Sequence, residues 1–155
     1  MNQQDLMKAL TQLNGSLEEL YAQIPPESLG WRPRENMRTV MELANHLAQI
    51  PSIDLAIMQS ATEAEIRALE GSLHRSNPAE LVHVWRAGVG AVAEFFGALP
   101  SAEFESRIGT AFYGHAVPMS EWLLEVITHA YHHRAQLFTY LKILGRPVDM
   151  FTLYL

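Results

Sequence analysis

The stretch Glu121-Trp122-Leu123-Leu124-Glu125-Val126-Ile127-Thr128-His129-Ala130-Tyr131-His132-His133-Arg134-Ala135-Gln136-Leu137-Phe138 decides how the rest of the chain is read. A helix advances about 100° per residue, which places Leu123, Val126, Ala130, Leu137, Leu141 and Leu144 in one apolar stripe. His133 lies inside that stripe and His129 sits on its edge one turn earlier. His132 points roughly 100° away from His133. Two imidazoles at i and i+4 thus stack on the buried side, about 5–6 Å apart at Cβ. From that spacing two ring nitrogens can reach one metal ion. Neighbouring carbonyls can satisfy buried imidazoles equally well, so the pair by itself does not decide. A third ligand from elsewhere is needed.

It stands on another helix. Thr39-Val40-Met41-Glu42 is a capping box that opens a helix with the stripe Val40, Leu43, Leu47 and Ile50. His46 falls about 60° from Leu43, on the flank of that stripe. Pro51 cannot donate to the carbonyl of Leu47, which predicts a kink or break just past His46.

Working outward, Leu6, Leu10, Leu13, Leu17, Leu20 and Ile24 repeat at alternating spacings of four and three, the mark of one bundle helix that Pro25-Pro26 ends. Residues 27–38 read as an ordered loop with Trp31 over a bundle end. Its Arg32, Arg34 and Arg38 are solvated charges or the lining of an anion site. Thr62-Glu63-Ala64-Glu65 opens a short helix ending near Gly71. Asn77-Pro78-Ala79-Glu80 opens a long one, with Leu81, Trp85, Gly88, Val92, Phe95 and Leu99 inward, and Pro100 ends it. Gly88 and Gly90 permit close approach of a neighbouring helix. Residues 101–117 have no helical period and read as a crossover pinned by Phe104, Ile108, Phe112 and Tyr113. His83 and His115 are spare. The tail from Val148 is apolar enough to fold back onto the bundle.

The bulk numbers bound the function. The 155 residues, 48% of them apolar, suit a single domain over 1–155 with one core. The expected class is all-α: a four-helix bundle with a long crossover before the last helix and one short extra helix. No apolar run is long enough to span a membrane. The N-terminus lacks the features of a signal peptide, so a cytoplasmic chain is expected. Zero cysteines leave only nitrogen and oxygen as metal ligands, and a net charge of −6 argues against nucleic acid as a partner.

Glu42-Leu43-Ala44-Asn45-His46, the entry loop Gly30-Trp31-Arg32-Pro33, the signature His129-x-x-His132-His133-Arg134-Ala135-Gln136 and the closing Tyr140-Leu141-Lys142-Ile143-Leu144-Gly145-Arg146-Pro147-Val148 together resemble the DinB-like (DinB/YfiT) superfamily of bacterial metal-binding four-helix bundles. The resemblance covers nearly the whole chain. It implies that one divalent metal, zinc or nickel, is held by His46, His129 and His133, the three that the helical wheels turn inward. Ala135 stands where the family usually has glycine. That small outward residue, with Gly88, Gly90 and the habit of the relatives, implies a homodimer.

Three histidines without a fourth protein ligand leave room for water or substrate, as in catalytic zinc sites. The resemblance implies thiol-dependent transfer or isomerisation of a small electrophile, with a low-molecular-weight thiol as cosubstrate. The alternatives are metal-dependent hydrolysis and a non-catalytic stress or interaction protein that keeps the scaffold. Tyr131, Arg134, Gln136 and Tyr140 are expected in packing and in hydrogen bonds behind the ligands, and no catalytic base stands out. Protons compete for ligating imidazoles, so metal affinity is expected to fall as pH drops through about 6.5.

Overall fold

A computed structural model describes residues 2–154. The leucine ladder forms two consecutive helices, α1 (Gln3–Thr11) and α2 (Leu13–Ala22), where its spacing predicts one. At the junction the Thr11 hydroxyl donates to the Lys8 carbonyl, and such local bonds compete with the backbone ladder. Just beyond it Asn14 accepts a 2.7 Å bond from the indole N–H of the buried Trp85. The ladder still faces inward: Leu6, Leu10, Leu13, Leu17, Leu20 and Ile24 are all buried.

Thr39 and Glu42 form the reciprocal cap that the sequence predicts, and α3 (Val40–Met58) follows. The helix runs through Pro51 without a break, so of the kink or break expected there the break is absent. A proline in a helix interior leaves one carbonyl without its partner, but packing on both sides can hold the helix together. Here the packing comes from α5 (Leu81–Ala98), whose Gly88 lies against Pro51 and Ser52. A Cβ at Gly88 would sit 2.7 Å from Ser52 Oγ and 3.1 Å from Pro51 Cβ. A Cβ at Gly90 would meet nothing within 4 Å, so that glycine plays no such part. The short helix α4 (Glu63–Leu73) lies between, and a 3₁₀ turn over Pro78–Glu80, capped by Asn77, leads into α5.

Residues 101–118 hold more structure than their aperiodic sequence predicts. α6 (Ser101–Ser106) is followed by a two-stranded antiparallel hairpin, β1 (Ile108–Thr110) and β2 (Ala116–Pro118), with Gly109 opposite Val117. Six-residue helices and three-residue strands are too short to leave a period. Of the four residues expected to pin this segment, Phe104 is buried, but Ile108, Phe112 and Tyr113 are 54%, 44% and 60% exposed. The pin is the buried Trp122 instead, whose indole donates to the Gly109 carbonyl. Gly109 has no room for a side chain: a Cβ there would lie 2.7 Å from both Met58 O and Trp122 Nε1.

The histidine helix α7 (Met119–Ile143) completes an all-α bundle. Both α3 and the α1–α2 pair pack on α5 and α7, while the successive long helices α5 and α7 barely touch each other. They stand diagonally across the bundle, as a crossover requires. After α7, Val148 and Thr152 are buried, and α8 (Met150–Leu153) rests on α2 with Met150 and Phe151 outward. Arg134 donates to the Leu153 carbonyl at 2.8 Å, which ties this tail to the histidine helix.

Candidate metal centre

His46 reaches the bundle interior from the second turn of α3, and His129 and His133 reach it from adjacent turns of α7. Their Nε2 atoms converge. That of His46 lies 3.2 Å from Nε2 of His129 and 3.1 Å from Nε2 of His133. Metal–imidazole bonds of about 2.0–2.1 Å put ligand nitrogens about 3.3 Å apart at tetrahedral angles and about 3.0 Å apart at right angles. The observed spacings fall within that range. The group could therefore hold a metal ion, and among the described residues no other cluster of three His, Asp or Glu side chains does so.

The rear nitrogens strengthen the case. Nδ1 of His129 faces Asp54 Oδ2 at 2.9 Å, and Nδ1 of His133 faces Gln136 Oε1 at 2.7 Å. Acceptors at Nδ1 keep the proton there and leave the Nε2 lone pairs turned to the common point. Lone pairs so aimed repel unless a cation lies between them, and one shared proton bridges only two.

The electrostatics also favour neutral, ligating imidazoles. Burial, then the charges of Arg38, His133 and His129, push His46 down to about 3. Burial pushes His133 down to about 4 despite the opposing bond from Gln136, with lesser help from His129, His132 and Arg38. For these two imidazoles, protonation therefore moves well below the window near 6.5 expected of ordinary imidazoles. Asp54 is raised by burial first, the bond and charge of His129 working against this and Glu125 adding to it.

Behind the three histidines stand residues that the sequence shows unevenly. Asp54, which the sequence reading passes over, is the main omission. Gln136 and Tyr140 take the supporting roles expected of them, with the Tyr140 hydroxyl donating to the Arg38 carbonyl at 3.1 Å. Tyr131 packs under the Arg134 guanidinium, 4.5 Å from its ring centroid. His132 is exposed and bonded to Gln136 Nε2 at 3.1 Å, outside the convergent group as the wheel predicts. His83 is exposed, and His115 bonds Glu125 instead. Arg32, Arg34 and Arg38 are exposed, Arg32 lying 3.8 Å from Glu42. Of the three, only the Arg38 charge acts on His46 and His133.

Two further polar residues of α3 bring α4 alongside the site. Asn45 accepts from Arg75 N at 2.8 Å and donates to Arg75 O at 2.9 Å, and Gln49 donates to Glu70 O at 3.3 Å. A narrow cleft results beside His46 and His129, lined by Gln49, Ile50, Ile53, Asp54 and Glu70.

Fold and site thus define a class: an all-helical bundle whose midsection gathers three histidines from two helices. The sequence model of the DinB family matches residues 1–155, and the chain belongs to that family. The structure is similar to that of a protein assigned to the DinB family from Exiguobacterium sibiricum, at 28% identity, with 97% of this chain and 96% of that one covered and a TM-score of 0.82. A DinB-like protein from Bacillus cereus shares the fold at 17% identity, 95% coverage of both chains and a TM-score of 0.74. So does the DinB-like protein YjoA of Bacillus subtilis, at 18% identity, 91% and 92% coverage and a TM-score of 0.69. No curated protein matches at a significant level.

Proposed function

We propose that the chain is a metal-dependent enzyme that joins a small thiol to an electrophile, or isomerises an electrophile through such an adduct, at His46, His129 and His133. The observation that carries this reading is the convergence of three Nε2 atoms with no fourth protein ligand at the same point among the described residues. Three neutral nitrogen donors suit zinc or nickel. Such an ion, when bound, supplies a Lewis acid that favours the thiolate of a bound thiol.

The chain's own residues do the rest. Asp54 and Gln136 hold two imidazoles in the ligating tautomer. Arg38 places a positive charge on the side of His46 and His133, where it would draw an anionic group of a substrate. The cleft beside His46 and His129, of about 10 Å³, has room for about one water molecule on the α4 side of the nitrogens.

The test is elemental analysis of protein purified without an affinity metal, followed by a screen of thiols against a chromogenic electrophile. About one zinc or nickel per chain and metal-dependent conjugation are expected. Turnover without thiol would move the reading to hydrolysis, and inertness of fully loaded protein would refute it. We further propose that the protein works as a homodimer through the exposed face at Ala135. Gly88 does not speak for a dimer, since it is used inside the chain. Sedimentation at micromolar concentration showing only a 17.5 kDa species would exclude a dimer.

A further inference from the structure

The hairpin between α6 and α7 carries a second histidine–carboxylate pair. His115 Nε2 lies 2.9 Å and 3.1 Å from the two carboxylate oxygens of Glu125. Glu125 stands one turn before His129 on α7, so its Cβ is about 5–6 Å from that of a proposed ligand. Across the site, Asp54 of α3 is close enough to Glu125 to feel its charge. The hydroxyl of Tyr113 is raised by partial withdrawal from water first, then by the charges of Asp54 and Glu125. The His115–Glu125 pair and Asp54 therefore both stand beside His129, the pair from one turn earlier on α7 and Asp54 through its 2.9 Å contact.

The pair is held firmly yet open to solvent. Ala111 N donates to the His115 carbonyl at 2.8 Å and Gly114 N to the Ala111 carbonyl at 2.9 Å, closing the tip, where Gly114 has a φ of +90°. The His115 ring packs edge-on against the buried Trp122, 5.2 Å between centroids, and Tyr113 stacks on it at 6.4 Å. Both side chains of the pair are nonetheless 38–39% exposed. The other candidates around the centre are engaged. Asp54 and Gln136 face ligand nitrogens, Tyr140 donates to Arg38 O, and the Glu70 carboxylate pairs with Arg67 at 3.0 Å. With Nε2 committed to Glu125, Nδ1 of His115 has no hydrogen-bond partner among the described residues.

We propose that His115 is the proton acceptor for the metal centre and that Glu125 positions it. This rests on the thiol-dependent reading above. The S–H bond of an incoming thiol breaks, its electron pair stays on sulfur, and its proton passes to His115 Nδ1. The resulting imidazolium keeps its Nε2–H on Glu125, whose negative charge stabilises it. Imidazole is the side chain suited to such an exchange near neutral pH, and a carboxylate behind it fixes the tautomer.

The test is a proton inventory on metal-loaded protein. 2-Mercaptoethanol is titrated in at pH 7.5, by calorimetry, in two buffers of different ionisation enthalpy. Wild-type protein is expected to release fewer protons per thiol bound than the variant without the imidazole. His115→Gln is expected to release about one, with metal content and far-UV circular dichroism unchanged and conjugation slowed about 100-fold or more. Glu125→Gln keeps a hydrogen bond to the ring but removes the charge, and is expected to move release in the same direction. Thiol binding with equal proton release in all three proteins would overturn this inference and leave the thiol reading standing. Failure of loaded wild-type protein to bind thiol would overturn both.

Discussion

Acidifying the metal-free protein gives the sharpest test of the site. Above about pH 6.5, His46 and His133 are neutral both folded and unfolded, and they contribute nothing to pH dependence. Below that, the unfolded chain takes up protons that the folded chain refuses until pH nears 4 for His133 and 3 for His46. The unfolded state then binds more protons, so stability must fall as pH falls. At pH 5 each imidazole forgoes about 1.5 pH units of protonation at 1.36 kcal/mol per unit, or about 2 kcal/mol. The rings share one pocket, so the sum of about 4 kcal/mol is an upper bound. For a chain of this length, 1 kcal/mol shifts the melting temperature by about 2–4 °C, giving a loss of about 5–15 °C between pH 7.5 and pH 5. Carboxylates titrate in the same range, so the measurement is a comparison. Apo wild type and the apo double variant His46→Gln, His133→Gln are melted by circular dichroism across this range, and the variant should have the flatter profile. Equal pH dependence in the two proteins would show that these imidazoles are not held neutral by the fold.

Substitution of His46, His129 or His133 by alanine should abolish most metal binding by elemental analysis, while His132→Ala retains it; equal loss in His132→Ala and His133→Ala would exclude the assignment. Asp54→Asn should weaken metal affinity about 10- to 100-fold in competition with a chromophoric chelator while the fold persists, and unchanged affinity would refute the role given to Asp54. Gly88→Ala should destabilise the chain by about 1–3 kcal/mol, because its Cβ meets Ser52 and Pro51. Gly90→Ala, on an open helix face, should stabilise it by about 0.5–1 kcal/mol; denaturant melts giving both the same sign would contradict the packing of α5 on α3.

Those outcomes also gauge what the sequence made legible. The bundle helices were readable because Leu43, Leu47 and Ile50, or Leu123, Val126 and Ala130, repeat at the period that a core imposes, and Thr39 with Glu42 marks an entry by local chemistry. The three histidines were readable for the same reason: His133 interrupts an apolar stripe, and His129 and His46 border theirs. Asp54 offered the same signal unread, since it falls about 20° from Leu43 on the wheel, a carboxylate where a core residue belongs. The seam at Gln12, the continuity of α3 through Pro51 and the hairpin were not readable. Each is decided by partners remote in sequence: Trp85 on Asn14, Gly88 on Ser52, Trp122 on Gly109.

The attachment of α4 separates the wall of the cleft from the helices that carry the three histidines. Gln49 grips α4 through the Glu70 carbonyl, Asn45 holds the main chain of Arg75 just past its end, and Ile66 is its one buried residue. Main-chain handles are indifferent to which residues they carry. The outer wall of the cleft beside His46 can therefore be rewritten residue by residue, in evolution or in the laboratory, while the helices that aim the three nitrogens stay as they are. In such a molecule the wall of the cleft and the placing of the three histidines are inherited separately.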